Sequence, residues 1–258
     1  MSPARSGLLR DPVLQRRYEE DGFVTLPRLS KEALSEALAM YHSLHMDDTL
    51  GAGYKVSLYS ADPTIRRQAR DVLIQSIFPE LLDRFVDRRP YLATYLVKSP
   101  QGTVITAHQD WSHCDEARHD PATCWIPLTD VDEDNGALSF IRGSHGYFDY
   151  LRGFPYMVAP TPVYEHSRRI SAYLETVPLK AGEAVVFNTR TIHGSLSNDA
   201  PDERVAVAFL LHPVGEPLLC YYLKPHGRRD ALVRYTVTPD FYLEYNQPRF
   251  ADLYRRGE

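Results

Sequence analysis

The sequence predicts a mainly β fold with flanking helices, built around a double-stranded β-helix (a jelly-roll, cupin-like core). Two observations predict it. About eight short runs rich in β-branched and aromatic residues recur between turn signals from Tyr91 to Leu223. The residues before Tyr91 instead carry helical periodicity and helix-capping signals. A chain of 258 residues is long enough for a substantial core, and one domain is the leading count.

The N-terminal part is predicted to be mostly helical. Asp11-Pro12 combines an N-cap with proline at the first helical position, and the helix that it opens should end near Gly22. The run Phe23–Leu26 predicts a short strand. Ser30 is predicted to cap a second helix. Asp62-Pro63 repeats the cap-plus-proline signal and predicts a third.

The β-rich part is predicted to contain eight strands and one long insertion. Asn135-Gly136 is a tight-turn signal. The stretch Gly146–Ile170, with several aromatic residues and three prolines, predicts a loop or lid rather than regular structure. The predicted strands are Tyr91–Lys98, Val104–His108, Thr123–Pro127, Ala137–Arg142, Thr176–Leu179, Ala184–Phe187, Arg204–His212 and Pro217–Leu223. We assign the whole chain, 1–258, to one domain with a mostly helical N-terminal part (1–90), a jelly-roll core (91–225) and a C-terminal segment (226–258).

Charge and cysteine content narrow the partners and the compartment. The chain has 29 basic and 34 acidic side chains and a formal charge of −5, which gives no general reason to expect nucleic acid or an anionic membrane as partner. The three cysteines contain no CxxC pair and fit a reducing cytosol. Residues 1–13 lack a signal-peptide core, and the longest apolar run, Val205–Leu211, is too short to span a bilayer. We therefore expect a cytoplasmic protein.

The most informative pattern in the chain is a candidate metal site. His108 and Asp110 stand two residues apart, so in a strand their side chains point to the same face. His193 would arrive from a different strand. Two histidines and one carboxylate form the facial triad that suits non-haem Fe(II) and leaves coordination positions open. On its own the His-x-Asp pattern is weak, and it gains weight from the second histidine and a downstream arginine.

That arginine is Arg204, at the start of a predicted strand. Residues 197–202 form a predicted turn, and the resulting hairpin would bring Arg204 beside the metal. Its planar guanidinium suits a carboxylate, so an iron oxygenase with a dicarboxylic acid co-substrate is indicated. An ion pair with Glu203 or Asp202 is the alternative interpretation of Arg204 taken alone.

A zinc site is a second interpretation of this region. His113, Cys114, His119 and Cys124 offer zinc-binding atoms. Their spacings do not match the usual pairs of zinc ligands. The charged residues among them indicate a solvated loop instead.

At these residues the chain resembles the phytanoyl-CoA dioxygenase family of Fe(II)/2-oxoglutarate-dependent oxygenases. The resemblance runs in order and spacing from about Tyr18 to His212 and is specific for the family, not for a substrate. It is carried by Tyr18-Glu19-Glu20-Asp21-Gly22-Phe23-Val24, His108-Gln109-Asp110, Trp125-Ile126-Pro127-Leu128, Asp134-Asn135-Gly136-Ala137-Leu138, Gly143-Ser144-His145, Ala181-Gly182-Glu183, His193-Gly194-Ser195, Asn198 and Arg204.

The resemblance implies a role for each matching residue. His108, Asp110 and His193 would bind Fe(II). Arg204 and Ser195 would hold the distal carboxylate of 2-oxoglutarate through charge-assisted and hydroxyl hydrogen bonds. The full set of implied co-substrate residues is Arg204, Ser195, Trp125, Tyr95, Lys55 and Gln109. Ordinary packing in the strand core is the alternative for Trp125 and Tyr95.

The resemblance also implies an activity. The enzyme would consume O2 and 2-oxoglutarate and release succinate and CO2. Because related iron halogenases lack the carboxylate ligand, Asp110 favours hydroxylation. We expect a small-molecule substrate, amino-acid-like or a natural-product intermediate, since no long basic patch is evident for the phosphates of an acyl-CoA. The residues expected to contact it are Tyr54, Trp111, Arg118 and Arg190.

Two other classes of function stay open at this point. One is a non-catalytic jelly-roll binding protein. The other is a cupin-type metalloenzyme that does not use 2-oxoglutarate, although such sites usually contain more histidines and would not need Arg204. The sequence does not predict the oligomeric state.

Overall fold

The computed structural model describes residues 7–49, 51–154, 161–223 and 232–244. Within these ranges the helices are α1 (Pro12–Asp21), α2 (Lys31–Ser43), α3 (Pro63–Val72), α4 (Pro162–Glu165), α5 (Ser167–Ile170) and α6 (Pro239–Glu244). The strands are β1 (Phe23–Leu26), β2 (Tyr54–Val56), β3 (Arg88–Lys98), β4 (Ile105–His108), β5 (Ala122–Pro127), β6 (Leu138–Phe140), β7 (Glu175–Thr176), β8 (Ala184–Asn188), β9 (His193–Ser195), β10 (Arg204–Pro213), β11 (Leu219–Leu223) and β12 (Leu232–Thr236).

The three predicted N-terminal helices form where their capping signals place them. The Asp11 carboxylate accepts hydrogen bonds from the backbone N–H groups of Val13 and Leu14, at 2.7 and 3.1 Å. Helix α1 ends at Gly22, whose φ of 81° lies in the left-handed region that glycine adopts without strain. Ser30 and Asp62 cap α2 and α3 in the same way.

Two packed sheets form the core. The large sheet has six strands in the order β1-β8-β5-β10-β3-β2, and the small sheet has four in the order β4-β9-β6-β7. Strands β11 and β12 form a separate ribbon. Two facing sheets with helices against one of them confirm the predicted jelly-roll with flanking helices.

Alternate residues of the large sheet face opposite layers. On β10, Val205, Val207 and Phe209 join the apolar cluster that includes residues of α2 and α3, whereas Ala206 and Ala208 face the small sheet. This period of two follows from the pleat of a strand. It fixes which side chains of each strand reach the space between the sheets.

The structure departs from the predicted elements in three places. Strands β2 and β9 are only three residues long, and β12 is largely exposed, so none of them carries a clear pattern. The predicted hairpin ending at Arg204 is wrong, because β9 belongs to the small sheet and β10 to the large one. The insertion Gly146–Ile170 is not wholly irregular, since its described part contains α4 and α5.

A search of the described helices for membrane spans finds none with the length and apolar character to cross a bilayer.

Candidate metal centre

Three side chains from two strands and a loop meet at one edge of the small sheet. His108 ends β4 and lies opposite His193 of β9, with ring centroids 4.2 Å apart. Asp110 follows in the loop, and its Oδ1 lies 3.7 Å from His193 Nε2. One candidate ligand atom from each of the three residues lies within 4.8 Å of the other two. Such a spacing would allow the three donors to bind a single ion.

Each imidazole is oriented through its other ring nitrogen. His108 Nδ1 lies 2.9 Å from the Thr106 carbonyl, and His193 Nδ1 lies 2.9 Å from the Thr191 carbonyl. If Nδ1 donates to a carbonyl, Nε2 keeps its lone pair for a metal. Burial, followed by the nearby His108, lowers the pKa of His193 to about 4, so this ring is neutral at pH 7.

Asp110 is held by both its carboxylate and its backbone. Thr123 Oγ1 donates to Oδ2 at 2.9 Å, which leaves Oδ1 turned toward His193. The Asp110 N–H donates to the Thr189 carbonyl at 3.0 Å. The Asp110 carbonyl accepts from Arg152 Nε at 2.6 Å. The loop after β4 is therefore fixed by three other segments of the chain.

Arg152 is a residue for which the sequence gives no positional signal. Its side chain is buried and forms an ion pair with Glu116 at 2.5 Å and a hydrogen bond with Thr189 Oγ1 at 3.3 Å. Through Arg152, the insertion that begins at Gly146 thus holds the loop that carries Asp110 in place.

The three candidate metal ligands line a cavity that lies between the two sheets. Its volume is about 160 Å³. The described residues that line it are Tyr54, Val56, Leu58, Tyr59, Thr94, Leu96, Ile105, His108, Asp110, Trp111, Thr123, Trp125, Leu138, Phe187, His193, Gly194, Ser195, Arg204, Ala208 and Leu210.

A row of three polar residues crosses the large sheet beside this cavity. Tyr54, Lys98 and Arg204 are register partners on β2, β3 and β10. Arg204 is 2% exposed, donates to the Leu96 carbonyl at 3.0 Å and lies 5.6 Å from the Trp125 ring centroid. Its Nε has no hydrogen-bond partner, and none of the ion pairs among the described residues includes it. A buried guanidinium without a carboxylate suits an incoming anion.

Lys98 is a second buried basic residue that sequence reasoning missed. Its Nζ donates to Ser195 Oγ at 2.7 Å and to the Leu196 carbonyl. Burial, and then the adjacent Arg204, lowers the pKa of Lys98 to about 6. Position 98 closes a predicted strand, and only the register shows that it stands next to Arg204.

Two predicted co-substrate residues point away from the cavity. Lys55 lies between Tyr54 and Val56, whose side chains line the cavity, and it pairs instead with Glu203 at 2.7 Å. Tyr95 lies in the helix-facing core, where its hydroxyl donates to the Ala37 carbonyl at 2.9 Å. The outward direction of both side chains follows from the alternation of side chains along a strand. Core packing, the alternative for Tyr95, is what the structure shows.

Three further predicted residues also lie outside the cavity lining. Gln109 turns away from its two neighbours and bonds to the Arg190 carbonyl at 2.6 Å and to Tyr150 at 2.6 Å. Arg118 is largely exposed and lies 3.6 Å from Glu216. Arg190 is buried, and its Nη2 lies 3.5 Å from Asp120 Oδ1. Of the predicted substrate contacts, Tyr54 and Trp111 line the cavity.

The zinc alternative has no geometric support in the described part of the chain. The His/Cys/Asp/Glu group found there at metal-binding distances is His108, Asp110 and His193, not the residues near Cys114. Burial raises the pKa of Cys124 to about 12 and also raises that of Cys114, as expected for thiols packed in the interior.

The donor set fits iron. Two imidazole nitrogens and one carboxylate oxygen on a single face form the facial triad of non-haem Fe(II) sites. A jelly roll with this triad beside a buried, carboxylate-free arginine defines the class of iron- and 2-oxoglutarate-dependent oxygenases.

Comparison with known proteins shows the family to which the chain belongs. The family model described as Phytanoyl-CoA dioxygenase (PhyH) matches residues 18–206. This match covers well over half of the chain, and the chain belongs to the phytanoyl-CoA dioxygenase family.

The curated relatives are distant. A phytanoyl-CoA dioxygenase domain-containing protein 1 homolog of Caenorhabditis briggsae is 25% identical over 202 residues, which cover 73% of this chain and 61% of the relative. The chain thus spans about three fifths of the length of that relative. Ectoine dioxygenase of Bordetella bronchiseptica is 26% identical over 229 residues, which cover 74% of this chain and 71% of the relative.

Solved structures share the fold. A non-heme alpha-ketoglutarate-dependent carbocyclase from nogalamycin biosynthesis superposes with a TM-score of 0.57 at 22% identity, over 81% of this chain and 86% of that chain. At this identity the likeness concerns the fold.

Proposed function

We propose that the protein is a non-haem Fe(II)/2-oxoglutarate-dependent dioxygenase that hydroxylates an unactivated C–H bond of a small molecule, amino-acid-like or a natural-product intermediate. One observation carries the proposal. Two histidines and an aspartate converge beside a buried arginine that has no ion-pair partner among the described residues. Family membership supports the same chemistry.

The proposed roles follow from the positions of the side chains. His108, Asp110 and His193 would hold the iron. Arg204 would pair with the distal carboxylate of 2-oxoglutarate, and the Ser195 hydroxyl would donate to it. When bound, the iron lets O2 give one oxygen atom to 2-oxoglutarate, which becomes succinate and CO2, and the other to the substrate, whose C–H becomes C–OH. The residues of the chain position these reactants and exclude water.

The relatives support a small-molecule substrate. One is named for ectoine, and one solved structure is a carbocyclase from nogalamycin biosynthesis. Their reactions differ, so the family fold supports the proposed chemistry without selecting one product.

The test is an anaerobic titration of the metal-stripped protein with Fe(II) and then with 2-oxoglutarate, followed by visible absorption. We expect a weak charge-transfer band that requires both additions, because the oxo acid must chelate the bound metal. Iron binding without the band would favour the cupin-type enzyme. Absence of iron binding would favour the non-catalytic binding protein.

Variants separate the two parts of the site. His108→Ala and Asp110→Ala should abolish the band and succinate formation. Arg204→Met should leave Fe(II) binding intact and weaken 2-oxoglutarate binding about 10- to 100-fold, as expected for loss of hydrogen bonds to a charged group. Arg118→Met, at an exposed position, is the matched control. Equal losses of iron and oxo-acid binding in Arg204→Met would assign Arg204 a structural role.

A further inference from the structure

The charged groups of the cavity are already assigned. Among its described lining residues the carboxylate is Asp110 and the permanent cation is Arg204. Both, together with the two histidines, belong to the proposed iron and co-substrate sites. The described lining therefore offers no further ionised side chain for the primary substrate.

The rest of the wall is largely apolar, and the polar groups of Trp111 and Thr94 within it are occupied by the protein itself. Trp111, Leu58 and Leu210 belong to one buried apolar cluster at the cavity. The Trp111 indole N–H donates to the Tyr91 hydroxyl at 3.1 Å. Thr94 Oγ1 lies 2.9 Å from Ser57 Oγ and accepts from the Leu58 N–H at 3.1 Å. The part of the wall around Trp111, Leu58 and Leu210 therefore offers a ligand apolar surface rather than hydrogen-bonding groups.

The wall is also held in shape. The Trp111 ring packs edge-on against Phe154, with centroids 5.0 Å apart, and lies nearly parallel to Tyr242 at 6.1 Å. Tyr242 is fixed by a hydrogen bond of 2.6 Å from its hydroxyl to the Leu219 carbonyl. The Trp111 ring, which follows Asp110 in the chain, is thus held in the cavity wall by its aromatic neighbours before any ligand binds.

We propose that the primary substrate is an uncharged molecule that lays a flat or fused-ring hydrocarbon face on the Trp111 wall, with a C–H bond directed at the metal centre. This inference rests on the proposed function. Of the two proposed kinds of substrate, it favours the natural-product intermediate over the amino-acid-like molecule. A free amino acid, a carboxylate or a phosphorylated carrier would have to desolvate a charge for which the described wall has no partner.

The experiment uses the two tryptophans of the chain, Trp111 and Trp125, which both line the cavity and so report on its occupancy. The probes are 1-tetralone, which is uncharged, and 1,2,3,4-tetrahydro-2-naphthoic acid, which has the same rings and a carboxylate. Their effects are measured on tryptophan fluorescence and on the absorption band of the anaerobic protein with Fe(II) and 2-oxoglutarate. We expect the half-saturation concentration of 1-tetralone to be at least tenfold lower than that of the acid.

Two variants locate the binding surface. Tyr59→Arg adds a cation at the cavity wall and should reverse the preference between the probes. Tyr173→Ala, at a residue 74% exposed on the surface, should leave it unchanged. Equal or tighter binding of the acid by the unaltered protein, or no response to 1-tetralone, would overturn the proposal. Fluorescence is read without metal as well, so failure of the absorption band alone would count against the proposed function and not against the neutral wall.

Discussion

At the scale of single residues, the two buried basic side chains beside the cavity say most about the molecule. Lys98 and Arg204 lie side by side, and the ion pairs among the described residues include neither. This arrangement is unfavourable in the ligand-free protein, because Lys98 must either hold its proton beside a like charge or give it up near pH 6. A dianionic co-substrate would offset this cost. The ligand-free protein is therefore less stable because of the same residues that would bind 2-oxoglutarate.

Replacement of Lys98 tests this balance. Lys98→Met should raise the melting temperature of the ligand-free protein, and more at pH 6 than at pH 9. An unfolded lysine keeps its proton to about pH 10, whereas the buried one loses it near pH 6. The unfolded chain therefore binds more protons in this window, and the penalty from Lys98 shrinks as pH rises. Thermal melts at the two pH values measure the effect.

The same variant should bind 2-oxoglutarate about tenfold or more weakly, because Ser195 loses the donor that orients its hydroxyl. Lys55→Met is the control, since Lys55 pairs with Glu203 outside the cavity lining. A melting temperature that falls equally at both pH values would show that Lys98 acts by packing alone.

At the scale of elements, the metal centre depends on the close pairing of β4 with β9. Gly194 lies between His193 and Ser195, and a Cβ atom added there would stand 2.6 Å from the Ile105 carbonyl oxygen. Gly194→Ala must therefore push the two strands apart. We expect Fe(II) affinity to fall at least tenfold, measured by anaerobic titration. Gly146→Ala, where an added Cβ meets no atom within 4 Å, is the control, and undiminished iron affinity in Gly194→Ala would show that the pairing tolerates the change.

The loop that carries Asp110 depends on Arg152. Arg152→Met should lower both the melting temperature and the iron affinity, because it removes the bond to the Asp110 carbonyl and leaves Glu116 buried without this partner. Breaking a buried pair in this way costs about 3–5 kcal/mol. The double variant Arg152→Met/Glu116→Gln should regain stability without regaining iron affinity. Joint recovery of both would mean that Arg152 acts only through overall stability.

At the scale of the whole molecule, the site ties the two sheets together. His108 and His193 come from the small sheet, whereas Lys98 and Arg204 come from the large one. A metal and a dicarboxylate bound between them would link both layers. Binding would then stabilise the native state of the entire jelly roll.

Ligand-induced stabilisation is therefore expected to be cooperative. Ni(II) serves as a redox-inert substitute for iron. In its presence, 2-oxoglutarate at a hundredfold excess over Kd should raise the free energy of unfolding by about 2.7 kcal/mol. This corresponds to a rise of roughly 5–10 °C in melting temperature. Differential scanning calorimetry of the protein with each ligand and with both measures it. In Arg204→Met the metal effect should persist, and the 2-oxoglutarate contribution should fall to about 0.4–1.4 kcal/mol, as a 10- to 100-fold weaker affinity implies. A shift from 2-oxoglutarate that is independent of metal would contradict the shared site.

The sequence by itself determined the jelly-roll class, the N-terminal helices with their caps, and the choice of His108, Asp110, His193 and Arg204 as candidates. These features depend on local signals: capping residues, alternating apolar runs and ligand types at fixed spacing. The tertiary structure decided which neighbours face the cavity. The short strand β2 has no pattern of its own, so only its pairing with β3 shows that Tyr54 faces inward and Lys55 outward. Lys98 and Arg152 gained their places from residues distant in the chain, because register and loop packing are set by long-range contacts that local sequence does not encode.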